Sequence, residues 1–206
     1  IAIGRKAHNL IGHSHWVRRI AITPDGKQAI SASQDKTLKI WNLATAQEKN
    51  VLIGHTHWVK TVAVTPDGKQ VVSASEDKTL KVWDLATGKE THCLIGHTRS
   101  VEAVVITPDG KQAISASRDS TLKIWNLVTG KEIYTLTGHS NSVGAVAITP
   151  NGKQAVSASR DSTLKVWDLV AGKEVYTLKG HTNSLTAVVI TLDGKQAISA
   201  SKDKTL

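Results

Sequence analysis

Apolar positions recur every second residue from Trp16 to Ile22, the pattern of a half-buried strand rather than a helix. The run stops at Thr23-Pro24-Asp25-Gly26-Lys27, where proline presets φ and glycine accepts a positive one, so a hairpin turn is predicted. Gln28 to Ser33 reads as a second strand, Gln34-Asp35-Lys36 as a tight turn and Thr37 to Asn42 as a third strand. Leu43 to Gln47 is a further turn, and Glu48 to Ile53 a fourth strand. Short β-branched runs with turn signals about every 8–12 residues predict an all-β fold.

The whole pattern returns with a period of 42 residues. Gly-His stands at Gly12-His13, Gly54-His55, Gly96-His97, Gly138-His139 and Gly180-His181; Trp followed by Asp or Asn stands at Trp41, Trp83, Trp125 and Trp167. This period, with Gly-His early and Trp-Asp late, resembles the WD-repeat (WD40) family of β-propellers over nearly the whole chain. The units starting at Gly96 and Gly138 agree at 31 of 42 positions, like the highly similar tandem repeats of bacterial and cyanobacterial members. The resemblance implies one domain over 1–206, a β-propeller of four-stranded antiparallel blades at about 12–53, 54–95, 96–137, 138–179 and 180–206.

The last unit has Leu192 where the others have proline and lacks the four residues equivalent to Lys81-Val82-Trp83-Asp84, while residues 1–11 align with the outer strand Leu85 to Ile95. The expectation is therefore about five blades, the fifth completed by residues 1–11 through pairing of Lys6–Ile11 with the strand near Leu206. An arc of a larger propeller is the alternative left open. The chain lacks an initiator Met and opens in mid-repeat, which reads as a portion of a longer product.

In the family a hydrogen-bonded tetrad links the Gly-His loop, the second strand, the turn after it and the Trp. The matching residues are His13, Ser31, Asp35 and Trp41; His55, Ser73, Asp77 and Trp83; His97, Ser115, Asp119 and Trp125; and His139, Ser157, Asp161 and Trp167. His181, Ser199 and Asp203 are the last set, without a Trp. Ser33 and its equivalents lie on the same strand face, so which serine joins stays open. A buried indole needs an acceptor for its N–H, and an Asp beside a His fixes the ring tautomer. Asp-His-Ser is also the composition of a hydrolase triad, but a set repeated in every unit reads as a core device, and no catalytic residue is assigned.

Composition narrows the picture further. No apolar run reaches the ~18–20 residues of a membrane span, and no secretory signal or Asn-x-Ser/Thr site is visible. Cys93 is the only cysteine, so no intrachain disulfide forms, and a cytoplasmic protein is expected. The net charge of +9 is spread by the repeat, through Lys27, Lys69, Lys111, Lys153 and Lys195 and through Lys39, Lys81, Lys123 and Lys165. Charge distributed in this way favours a solvated surface over nucleic-acid binding. His13 with His15 and His55 with His57 have no further His or Cys beside them in sequence, so no metal is expected, and no phosphate loop or dinucleotide motif calls for a cofactor.

Function is sought where near-identical units differ. Three residues after each Gly-His histidine stand Trp16, Trp58, Ser100, Ser142 and Ser184; two further on come Arg18, Lys60, Glu102, Gly144 and Thr186. Just before each tetrad Asp are Gln34, Glu76, Arg118, Arg160 and Lys202. The resemblance places all three positions on the top face, the usual partner-binding surface. Two adjacent Trp with Arg and Lys beside them suit an interface hot spot. Five basic residues (Arg18, Lys60, Arg118, Arg160, Lys202) against two acidic (Glu76, Glu102) suit a partner with acidic and apolar groups. Arg19 also breaks the pattern, standing where the other units have Thr61, Ala103, Ala145 and Ala187, either because the first blade is distorted or because Arg19 reaches into the central channel.

The expected function is a non-catalytic scaffold or sensor that binds a protein or peptide. By resemblance to signalling proteins, an effector domain is expected elsewhere in the parent protein. A self-assembling structural element and electrostatic nucleic-acid binding are the rival readings.

Overall fold

The computed structural model describes residues 9–206. The first unit forms β1 (Val17–Ile22), β2 (Gln28–Ser33), β3 (Thr37–Asn42) and β4 (Gln47–Ile53), an antiparallel sheet in sequence order. The second forms β5 (Val59–Val64), β6 (Gln70–Ser75), β7 (Leu80–Asp84) and β8 (Glu90–Leu94). The third forms β9 (Val101–Ile106), β10 (Gln112–Ser117), β11 (Leu122–Asn126) and β12 (Lys131–Leu136). The fourth forms β13 (Val143–Ile148), β14 (Gln154–Ser159), β15 (Thr163–Asp168) and β16 (Lys173–Lys179). β17 (Leu185–Ile190) and β18 (Ala197–Ser201) make a two-stranded fifth sheet. Trp16 falls just outside β1, and the other first-unit strands agree with the pattern to within a residue.

Each sheet buries one face against the next. Ile30, Leu38, Ile40 and Leu52 of the first blade pack on Val59, Val62, Trp83 and Leu85 of the second. The same two sets meet at the second–third and third–fourth junctions; at the fourth–fifth, Val156 and Leu164 meet Leu185 and Val188, the Trp and Leu positions of the fifth blade have no counterpart, and Leu178 is exposed. We call the Ile30 side of a blade its trailing face and the Trp83 side its leading face. A fully buried Leu, Ile or Val contributes roughly 1.5–3 kcal/mol, so these junctions dominate the stability of the array. The inner strands follow suit, β1 packing on β5, β5 on β9, β9 on β13 and β13 on β17.

Backbone geometry explains two recurrent glycine positions. A Cβ on Gly54 would lie 3.0 Å from Glu90 Oε2 and 3.1 Å from the Trp83 ring, so a side chain before His55 would press on both. The β3–β4 turn requires a left-handed residue, which is Gly88, Gly130 and Gly172 in later units but Ala46 in the first, at φ 56°.

Of the expected pairing between Lys6–Ile11 and the strand near Leu206, residues 6–8 lie outside the described residues. Asn9 to Ile11 form no strand, and β18 pairs with β17 alone among the described residues. Of the two readings of Arg19, distortion of the first blade does not hold: β1 pairs with β2 in the register that β5 and β13 keep with β6 and β14, and Arg19 is exposed.

Candidate functional site

The tetrads form as a chain of hydrogen bonds with one orientation. In the second blade the Trp83 indole N–H donates to Ser73 Oγ at 2.8 Å and Ser73 donates to His55 Nε2 at 2.8 Å. His55 Nδ1–H then donates to Asp77 at 2.7 Å. The first blade repeats this with Ser31, His13 and Asp35 at 2.8, 2.6 and 2.6 Å. The sets on Ser115 and Ser157 are alike. The fifth blade keeps His181, Ser199 and Asp203 at 2.9 Å each. The choice between serines is thereby settled: Ser33, Ser75 and their equivalents instead donate to backbone carbonyls, such as His15 O and His57 O.

A further member escaped the sequence reading. Thr37, two residues beyond Asp35, donates its hydroxyl to Asp35 Oδ1 at 2.7 Å, and Thr79, Thr121, Thr163 and Thr205 repeat the contact. Its signal was the constant Asp-x-Thr spacing. Burial pushes the Asp35 carboxyl up, but hydrogen bonds from Thr37 and His13 prevail and hold it at about 2. Asp77 is held still lower, burial being outweighed by His55 and Thr79. Burial lowers the pKa of His139, and Asp161 offsets only part of that. The distances match those of a hydrolase triad, but Ser73, Ser115 and Ser157 are fully buried and their Oγ atoms take an indole N–H. A substrate carbonyl has no path to such a serine, so the relay anchors a loop to a sheet.

The positions that vary are brought together by the backbone. The Gln34 N–H donates to Trp16 O at 2.9 Å, and Glu76 with Trp58, Arg118 with Ser100, Arg160 with Ser142 and Lys202 with Ser184 repeat it. The middle variable residue is a β-bulge in every blade: the ladder passes from Val17 to Arg19 over Arg18, and likewise skips Lys60, Glu102, Gly144 and Thr186. A bulge removes one residue from the pairing and re-aims its side chain. The alternating pattern gave no sign of it.

Two units make an aromatic cluster of these positions. Trp16 is 71% exposed and Trp58 36%. The His15 ring lies between them, 6.0 Å from Trp16 and 6.5 Å from Trp58, and its Nδ1 accepts the backbone N–H of Trp16 at 2.8 Å. His57 lies 5.4 Å from Trp58 and its Nδ1 accepts that residue's backbone N–H at 2.9 Å. Lys60 Nζ stands 5.6 Å over the Trp58 ring, a cation–π contact. His15 and His57, met in sequence as candidate metal ligands, thus serve as packing for the indoles. Among the described residues no three His, Cys, Asp or Glu side chains gather as metal ligands.

A ladder of charge runs on from the cluster. Glu76 lies 3.4 Å from His57 and 3.5 Å from Lys60, and Lys60 is 3.9 Å from Glu102. Glu102 pairs with Arg118 at 2.8 Å and accepts the Ser100 hydroxyl at 2.6 Å. Two of the five basic residues are therefore already neutralised within the chain. Arg18, Arg160 and Lys202 are exposed, and Glu76, Glu102, Arg118 and Ser184 half-exposed. Gln34, Lys60, Ser100 and Ser142 are buried and support this surface from beneath. Cys93 is exposed on β8, its Sγ 3.7 Å from Lys81 Nζ, where Thr135 and Thr177 accept from Lys123 and Lys165 in later blades.

Successive four-stranded sheets, packed face to face and each tied by a Trp–Ser–His–Asp relay, define blades of a β-propeller. Comparison with known proteins gives the family. Residues 4–42, 46–84, 88–126, 130–168 and 172–206 match the family described as "WD domain, G-beta repeat". The chain belongs to the WD-repeat family. Nuclear distribution protein PAC1-2 of Uncinocarpus reesii is 51% identical over 43 residues, 21% of this chain and 9% of the relative. Small ribosomal subunit protein RACK1 of Caenorhabditis elegans is 49% identical over 41 residues, 20% and 13% respectively. Lissencephaly-1 homolog 1 of Paramecium tetraurelia is 38% identical over 47 residues, 23% and 12%. The chain thus spans between 9% and 13% of the length of these curated relatives, about one repeat unit in each.

Proposed function

We propose that this chain is a non-catalytic module that binds a protein or peptide through the surface formed by Trp16, Arg18, Trp58, Glu76, Glu102, Arg118, Arg160, Ser184 and Lys202. The observation that carries the reading is Trp16, 71% exposed as a residue, with its ring beside His15, which also neighbours Trp58. Indoles fixed in orientation lose little freedom on binding, and Trp and Arg dominate interface hot spots. The three exposed cations favour a partner that brings carboxylates together with apolar side chains. Family membership supports the general role, since a rigid ring of blades can vary its loops without losing its fold. A cytoplasmic setting and an effector domain in the parent protein belong to the same proposal.

The test compares two substitutions as baits. Immobilised wild type, Trp16→Ala and Trp83→Ala are incubated with lysate, and captured proteins are quantified by mass spectrometry beside a thermal melt of each bait. The reading requires a set of proteins lost with Trp16→Ala at unchanged melting temperature, whereas Trp83→Ala loses stability by about 3–5 kcal/mol. Identical capture by wild type and Trp16→Ala refutes it.

A further inference from the structure

The seams between successive blades are filled differently at their outer edge. A Cβ on Gly130 would lie 2.7 Å from the His92 ring, and one on Gly172 2.5 Å from the Tyr134 ring. In the second–third and third–fourth seams, then, a ring from the trailing face of one blade lies across a glycine turn of the next. His92 Nε2–H also donates to Val128 O at 3.2 Å. In the first–second seam the ring position is Asn50, and Ala86 stands where the later seams have Val128 and Val170. Asn50 is shorter than either ring, and its Oδ1 is taken by the backbone N–H of Val51. A cavity of about 400 Å³ opens there between two complete blades, walled by Gln28, Lys49, Lys69, Asp84, Leu85 and Ala86 among others. Lys49 is a bulge of β4, skipped as the ladder passes from Asn50 to Glu48, and it stands where later seams have Thr91 and Ile133. Gln28 Oε1 is buried without a hydrogen-bond partner, an unmet acceptor in the cavity wall.

We propose that the first–second seam binds a small aromatic acid with a hydrogen-bond donor on its ring, seated where the His92 and Tyr134 rings lie in the next two seams. The chain itself shows what fills such a seam: a flat ring laid over the glycine turn. A hydroxyl on the ring edge donates to Ala86 O, as His92 donates to Val128 O. The Gln28 amide, turned about its broad last torsion, offers a second acceptor. Leu85 and Ala86 supply apolar wall for the ring. The acid end faces Lys49 and Lys69, two cations against the single carboxylate of Asp84, whose Oδ1 already accepts from Thr87. The volume falls within the roughly 300–1,000 Å³ of small-molecule pockets. None of these residues belongs to the surface around Trp16 and Trp58, so the inference stands apart from the partner proposed above.

Titration of the isotope-labelled full chain with 4-hydroxyphenylacetate, followed by backbone amide shifts, tests it. The expected result is saturable movement of the amides of Lys49, Gly68, Leu85 and Ala86. The double variant Asn50→Tyr with Ala86→Val rebuilds the third–fourth seam, whose Tyr134 and Val170 already fold in this chain, and a thermal melt verifies that it is folded. Filling the seam should weaken binding at least about tenfold, a difference of 1.4 kcal/mol. Lys49→Thr, which copies Thr91, should weaken it about two- to fivefold, the worth of one exposed charge pair. Cyclohexylacetate, which has the acid but neither the flat ring nor the donor, should bind more weakly than the phenol. Shifts that never saturate overturn the proposal, as does undiminished binding by the filled variant. Equal affinity for cyclohexylacetate, or no loss with Lys49→Thr, also overturns it, since the donor or the cation would then be idle. Movement of the same amides by N-acetyltyrosinamide and not by the free acid overturns it in favour of a partner's side chain.

Discussion

Serine 73 is the hub of the second blade's relay, and Ser73→Ala measures what that hub is worth. Its Oγ accepts the Trp83 indole N–H and its hydroxyl donates a hydrogen bond to His55 Nε2, both at 2.8 Å, and Ser73 is fully buried. Alanine fits the space but leaves two buried polar groups without partners, each costing roughly 1–3 kcal/mol, so a loss of about 2–6 kcal/mol is expected. The fifth blade supplies the control. Ser199 bonds His181 at 2.9 Å but has no indole to satisfy, so Ser199→Ala orphans one group and costs roughly 1–2 kcal/mol. Adding Trp83→Phe to Ser73→Ala removes the orphaned N–H, and the double variant should recover about 1 kcal/mol relative to the sum of the singles. Urea unfolding followed by far-UV circular dichroism gives the midpoints, and coincidence with near-UV signals establishes that the array unfolds as one unit. Equal losses for Ser73→Ala and Ser199→Ala would show that the indole draws nothing from the serine, and the relay would then be a geometric coincidence.

Three further outcomes are expected. Ala46→Gly relieves a left-handed alanine at φ 56° and should stabilise by about 1 kcal/mol, read as a higher melting temperature; no change would mean the turn carries no strain. Gly54→Ala forces a Cβ to within 3.0 Å of Glu90 Oε2 and 3.1 Å of the Trp83 ring and should destabilise by roughly 1–3 kcal/mol, whereas tolerance would show that the Gly-His loop can shift. Stability should fall steadily as pH drops from neutral. The tetrad carboxylates of Asp35, Asp77, Asp119, Asp161 and Asp203 sit below the ordinary 3.8, so their contribution is complete above that value and is lost as pH falls through the folded values, about 2 for Asp35. His139 lies below 6.5, so the unfolded chain takes up that proton first and the contribution fades as pH falls below 6.5. Melting temperatures that stay flat between pH 7 and 3 would contradict both signs.

Strand order was legible because alternation and turn chemistry act locally: Thr23 to Lys27 and its copies turn the chain wherever they occur. The tetrads were legible only through the repeat, which lined up His, Ser, Asp and Trp at fixed offsets. What stayed hidden depends on contacts between units. Nothing in the sequence says that Lys60 is covered or that it faces Glu76 and Glu102, because those pairs bring together different strands and different blades. His15 gave no signal beyond its place beside Trp16, since its second neighbour, Trp58, comes from the next unit. The bulge at Arg18 was invisible for a further reason: an extra residue leaves the run of apolar types intact and changes only which of them face each other.

That bulge bears on how such an array can evolve. Arg18, Lys60, Glu102, Gly144 and Thr186 lie outside the hydrogen-bond ladder, so their identities are released from the register that fixes every neighbour. A freshly duplicated unit can change this residue without disturbing the sheets on either side. Substitutions at Arg18 and Thr186, both exposed, should therefore combine independently for folding, whereas Lys60 and Glu102, 3.9 Å apart in one ladder of charge, should couple. A library confined to them would sample many surfaces on a single scaffold.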